Sequence, residues 1–106
     1  SKKTSRFHTN RSRLVVYRSL RHFEAQIIDD FKGVTLVAVS SRDKELQAAV
    51  KKAANKIEIS HIVGEALAKK AKADKVGPVV LDRNGYPYHG RVKAFTEAAR
   101  DGGLEL

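Results

Sequence analysis

Three features predict an α/β fold with a mixed sheet. Short β-branched runs come early, apolar residues spaced three and four apart fill the middle, and a late apolar run precedes a further helix. The order read from them is β-β-β-α-(α)-β-α: an antiparallel three-stranded meander plus one further strand, packed by helices, behind a basic N-terminal arm. A chain of 106 residues holds one modest core. Residues 1–12 are expected to be a flexible basic arm and residues 13–106 a single α/β domain.

The first strand is read from Leu14 to Tyr17, a run of β-branched and aromatic residues (LVVY). Phe23, Ala25 and Ile27 then alternate with Glu24, Gln26 and Ile28, the period of a half-buried strand. Asp29 to Gly33 reads as a turn, with glycine able to take positive φ, and Val34 to Val39 as the third strand. Ser40 and Asp43 have capping-box spacing. Leu46, Ala49, Val50 and Ala53 share one face of a short helix, which Asn55 interrupts or recaps. Ile59, Ile62, Val63, Ala66, Leu67 and Ala71 form a stronger helical face, with Lys69, Lys70 and Lys72 outward. Gly77-Pro78 breaks the chain. Val79-Val80-Leu81 is wholly apolar, as expected of a strand covered on both faces. A last helix carries Val92, Phe95 and Ala99 inward and ends at Gly102-Gly103.

Charge narrows the function. The net charge is +9, and seven cations fall in the first 22 residues with no acid among them: Lys2, Lys3, Arg6, Arg11, Arg13, Arg18 and Arg21. Such an unpaired basic stretch attracts a polyanion and releases its counterions, so nucleic acid is the expected partner. A membrane surface fits less well, because the arm has no apolar helical face, and no apolar run nears the ~20 residues of a span. With no cysteine there is neither a disulfide framework nor a thiolate metal site.

Two constellations carry recognition chemistry. Arg13, Arg18, Arg21 and His22 surround a strand–turn–strand corner, expected to continue the arm's binding surface. Arg83, Tyr86, Tyr88, His89 and Arg91 crowd the segment Asp82 to Arg91, beyond the carboxyl end of the last strand, where sites form in open α/β sheets. Rings interleaved with arginines can stack on bases and bond phosphates. Either tyrosine could equally anchor the loop to the core. Asp29, Asp30 and Asp82 could in principle gather two divalent metals for a nuclease. Two of them sit in a turn, though, and Asp82 more simply anchors Arg83, Arg91 or nearby amides. His8, His22, His61 and His89 show no ligand spacing. A sequence-specific DNA module is weaker still, since no helix-turn-helix is visible.

The blocks RLVVYRSLRHFEAQIIDDFKGVTLVAVSS and VVLDRNGYPYHGRVKAFTEAARDGGLEL closely resemble bacterial large-subunit ribosomal protein eighteen, the 5S rRNA-binding protein family. The resemblance covers residues 13–41 and 79–106. It departs at Ser12, where proline is common, at Asn84, where glycine is common, and at Pro87, where an apolar residue is common. It implies a non-enzymatic constituent of the large subunit, in the cytoplasmic ribosome, that binds 5S rRNA and helps dock it onto 23S rRNA in the central protuberance. Large-subunit ribosomal protein five is the implied neighbour. No cofactor, metal or membrane is implied, and the free chain is expected to be a monomer. The expected rRNA-binding residues are Arg11, Arg13, Arg18, Ser19, Arg21 and His22, then Arg83, Tyr86, Tyr88, His89 and Arg91.

Overall fold

The computed structural model describes residues 12–19 and 22–106. Strands β1 (Ser12–Arg18), β2 (Phe23–Asp29) and β3 (Val34–Ser40) come first. A 3-10 turn (Lys44–Leu46), helix α1 (Gln47–Lys52) and helix α2 (Lys56–Ala73) follow, then β4 (Val79–Asp82) and helix α3 (Arg91–Asp101). The sheet order is β3-β2-β1-β4, with the first three strands antiparallel and β4 parallel to β1. The mixed α/β fold expected from the sequence is the fold observed. Residues 1–11, most of the expected arm, lie outside the described residues. Ser12, expected to end that arm, already pairs with Val79 as the first residue of β1.

Period-two alternation sends Leu14, Val16, Phe23, Ala25, Ile27, Val37 and Val39 to one face of the sheet, where all are buried. Register confirms the sharing of that face, since Leu14 faces Ile27 and Val16 faces Ala25. Helices α2 and α3 cover it with Val63, Leu67, Ala71, Val92, Phe95 and Ala99. Each large apolar side chain so buried contributes roughly 1.5–3 kcal/mol. The two helices cross very closely because small residues meet at the seam. A Cβ built on Gly64 would fall onto the carbonyl oxygen of Phe95, and one on Gly102 would lie 2.6 Å from the Ala68 Cβ.

Local signals were partly redistributed by the fold. Asn55 does recap the chain: its side chain accepts the Glu58 N–H at 3.0 Å and starts α2 three residues before the periodic face at Ile59. The Ser40/Asp43 pair is not a helix cap. Asp43 instead accepts the Ser40 N–H at 3.0 Å in a tight turn ahead of the 3-10 segment. Strand β4 is corrected too: it is an edge strand with only Val79 fully buried, the rest of it half-covered. Its apolar run reflects a lateral position beside β1 rather than burial on both faces. The Glu105 carbonyl accepts the Val79 N–H at 2.9 Å, so the last residues shield part of that edge. At the end of α3 the left-handed residue is Gly103, at φ 105°, with Gly103 N–H bonded to Arg100 O and Leu104 N–H to Ala99 O. Those two bonds are a Schellman closure, and the buried Leu104 completes it.

Candidate nucleic-acid interface

Because β4 runs parallel to β1, the chain leaves both strands at the same end of the sheet. Val15 of β1 faces Asp82 of β4, and β1 continues three residues further to Arg18. The β1–β2 corner and the loop after β4 are therefore neighbours, although some 65 residues separate them in sequence.

The corner is a turn closed on both sides. Ser19 N–H donates to His22 O at 2.9 Å, and His22 N–H donates to Ser19 Oγ at 3.2 Å. Behind it sits Ser41, only 2% exposed, whose Oγ accepts the Phe23 N–H at 3.1 Å and lies 3.3 Å from His22 Nδ1. Arg21 and Arg11, both expected contacts, lie outside the described residues.

The loop is built on backbone conformations that few residues adopt. Asn84 and Gly85 have φ 55° and 83°, and Tyr86 N–H closes the turn onto Arg83 O at 3.0 Å. Two consecutive positive φ values explain why glycine and asparagine are the residues suited to position 84. Asp82 steadies the turn by accepting the Asn84 N–H at 2.9 Å.

Tyr86 and Tyr88 separate here. Tyr86 packs against the core, and its hydroxyl accepts the Arg18 N–H at 3.2 Å while lying 3.3 Å from Arg18 O, to which it donates. It thereby supplies the lateral backbone partner that β4, ending at Asp82, no longer offers. The Arg18 guanidinium lies over the Tyr86 ring, 4.9 Å from its centroid. Tyr88 stays 38% exposed, and Arg83, His89, Arg18 and Ser19 are exposed around the same end of the sheet.

Arg91 has an inward use. It is the first residue of α3, following Gly90 at φ 58°. Its Nη1 donates to Ser19 O at 2.8 Å and its Nη2 to His22 O at 3.0 Å, and its guanidinium carbon lies 5.5 Å from the Phe23 ring centroid. Its Nε is buried without a partner among the described residues. Burial, then the neighbouring Arg18 charge, pulls the Arg91 pKa below the ordinary guanidinium value, yet the group remains charged at neutral pH.

Arg13 lies at the opposite end of β1. Its Nε and Nη2 grip both oxygens of Asp30 at 3.0 Å, while Nη1 reaches Asp82 Oδ2 at 3.0 Å. The hydrogen bonds to Asp30 and then Asp82 raise its pKa against the opposing effect of burial. Burial opposes ionisation of Asp82, but bonds from Asn84 N–H and Arg13 outweigh it, leaving that carboxyl below its ordinary range. The arginine partner seen at Asp82 is thus Arg13 rather than the loop's Arg83 or Arg91. The Arg13 guanidinium stands between Asp30 and Asp82, two of the three aspartates that the nuclease reading would load with metal. Among the described residues no three His, Asp or Glu side chains gather to hold an ion. No helix there is long and apolar enough to cross a membrane.

The expected continuity between arm and corner falls on residues 1–11, which lie outside the described residues. Ser12 and Arg18 themselves stand at the two ends of β1, about 20 Å apart. Sequence reasoning also passed over Tyr17, 37% exposed beside the corner. Its signal was parity: Leu14 and Val16 point inward, so Tyr17 points away from the helices.

The model of the family described as ribosomal L18 of archaea, bacteria, mitochondria and chloroplast matches residues 1–106. The large ribosomal subunit protein uL18 of Staphylococcus haemolyticus (strain JCSC1435) is 54% identical over 94 residues, spanning 89% of this chain and 76% of the relative. The protein of the same name from Staphylococcus aureus (strain JH9) is 51% identical over 111 aligned positions, spanning 99% of this chain and 90% of the relative.

Proposed function

The chain belongs to the ribosomal L18 family, a family of large-subunit ribosomal proteins, and on that premise we propose that it binds 5S rRNA and helps dock it onto 23S rRNA in the central protuberance, beside large-subunit protein five. The role is structural and has no reaction of its own. The observation that best supports an RNA contact is the convergence of Arg18, Ser19 and His22 with Arg83, Tyr88 and His89 at one end of the sheet. Cations there meet phosphates, while the half-exposed Tyr88 ring offers a stacking surface for an unpaired base. Tyr86 and Arg91 frame this surface through their bonds to the corner, while Arg13, at the other end of β1, is paired with Asp30 and Asp82. Arg11 and Arg21 add charge to the same reading from the sequence.

The deciding experiment is to capture RNA from a total rRNA mixture on the purified chain and identify it by size. Enrichment of 5S rRNA is the expected result, and capture of every RNA in proportion to its abundance would overturn the reading. Within that experiment, Tyr88→Ala reduces the preference for 5S rRNA over an unrelated folded RNA, since a stacked ring is worth about 1–3 kcal/mol per base. Removing residues 1–11, with Lys2, Lys3, Arg6 and Arg11, instead weakens both RNAs and lowers the log–log salt slope by about 3.

A further inference from the structure

We propose that Arg91 and Tyr86 are positioning residues: they hold the Arg18–His22 corner in its RNA-ready shape before RNA arrives and touch no RNA themselves. The inference rests on the RNA-binding reading above and assigns two of its candidate contacts a different role.

Direction is the first reason. The guanidinium fork of Arg91 spans two carbonyls of one turn, Ser19 O at 2.8 Å and His22 O at 3.0 Å. The Tyr86 hydroxyl engages both backbone polar groups of Arg18. Together the two side chains bond three of the corner's residues at backbone atoms, and the side chains of Arg18 and Ser19 stay exposed even though the Arg18 guanidinium rests on the Tyr86 ring. A planar guanidinium suits such a pair of acceptors, whereas an ammonium is a point charge that serves them less well.

Location is the second reason. Arg91 opens a helix, where the dipole is positive. It is half-buried, and the like charge of Arg18 lies close enough to lower its pKa. A positive helix end and a second arginine would suit an anion, but the Arg91 fork is already spent inward on two carbonyls. Its flat face rests on Phe23, which contacts Phe95 in turn, at 5.1 Å between centroids. The pin is thus rooted in the core at one end and in the recognition turn at the other. Tyr86 is rooted in the same way, by its ring against the core.

The test uses the full chain, 5S rRNA as probe, and three substitutions: Arg91→Lys, Arg91→Met and Tyr86→Phe. Arg91→Lys keeps the charge but loses the fork, and affinity is expected to fall about tenfold. A direct phosphate contact would survive that change, so full affinity in this variant overturns the proposal. Arg91→Met is expected to leave the salt slope at its parental value. A slope lower by about 0.7–0.9 would mean that Arg91 itself neutralises a phosphate, and it would also overturn the proposal. Tyr86→Phe keeps the ring and should fold even if the Arg91 variants do not. It is expected to cost about fivefold in affinity. Independently of any RNA, amide hydrogen exchange at Ser19 and His22 should accelerate in the free variants, and unchanged exchange there sinks the proposal. If the parent itself shows no preference for 5S rRNA, the RNA reading fails. The exchange measurement then still decides whether the two residues pin the corner.

Discussion

The seam between α2 and α3 and the corner at Arg18–His22 both bring backbone unusually close to a neighbour, and they do so with opposite means. At the seam, atoms are removed: Gly64 lies against the Phe95 carbonyl, and Gly102 against Ala68. At the corner, long polar side chains are added, and Arg91 and Tyr86 reach out to backbone oxygens and an amide. The seam excludes water and is insensitive to direction, so it fails by collision or by cavity. The corner stays wet and depends on aim, so it fails when a donor is shortened. A recognition surface is better served by the second construction, because its turn can be fixed without drawing the turn's side chains into the core.

That contrast orders the expected effects of substitution. Phe95→Ala should cost about 3–5 kcal/mol by urea denaturation, since it empties the centre of the covered face; a loss no greater than that of the corner variants would break the contrast. Gly64→Ala comes next, at about 2 kcal/mol net. Overpacking against the Phe95 backbone exceeds the ~1 kcal/mol of helix propensity gained, and a stabilised variant would show that the seam has room.

Asp82→Asn should cost about 1 kcal/mol at neutral pH by weakening the Arg13 pair. Its sign with pH is specific. Because the folded carboxyl titrates below its ordinary value, its contribution is complete above the unfolded pKa and lost as pH falls through the folded one. Stability measured from about pH 5 to pH 3 should therefore drop less steeply in Asp82→Asn than in the parent, and parallel curves would contradict this. The smallest effect is expected for Tyr88→Ala, within about 0.5 kcal/mol. A large loss in its melt would place that ring in the fold rather than on the recognition surface.

The covered face was largely legible from the amino-acid order, because alternation at Leu14–Val16 and Phe23–Ile27 and helical spacing at Val63–Ala71 are themselves statements about which side is buried. The edge position of β4 was not: an apolar tripeptide reads alike at an edge and in the centre, and only pairing with β1 distinguishes them. Nor was the tight seam at Gly64, since closeness of a second helix leaves no mark in a sequence beyond small size. Of the site, the clustering of cations and rings was visible, but the aim of each was hidden. Arg83 and Arg91 are the same residue type eight positions apart, and only the fold turns Arg91 toward Ser19 and His22. Arg13, Asp30 and Asp82 likewise meet across 17 and 69 residues, separations over which composition carries no information.

The parallel pairing of β1 with β4 also sets an order of events during synthesis. Ser12 pairs with Val79 and Val15 with Asp82, so a chain emerging N-terminus first completes its three-strand meander long before β1 receives its second neighbour. Until then one side of β1 presents unpaired N–H and C=O groups, and the apolar face waits for α3. The nascent protein spends that interval with an adhesive edge beside its most basic stretch, and the hazard ends only when the strand, the tyrosine hydroxyl and the final helix arrive together within some two dozen residues.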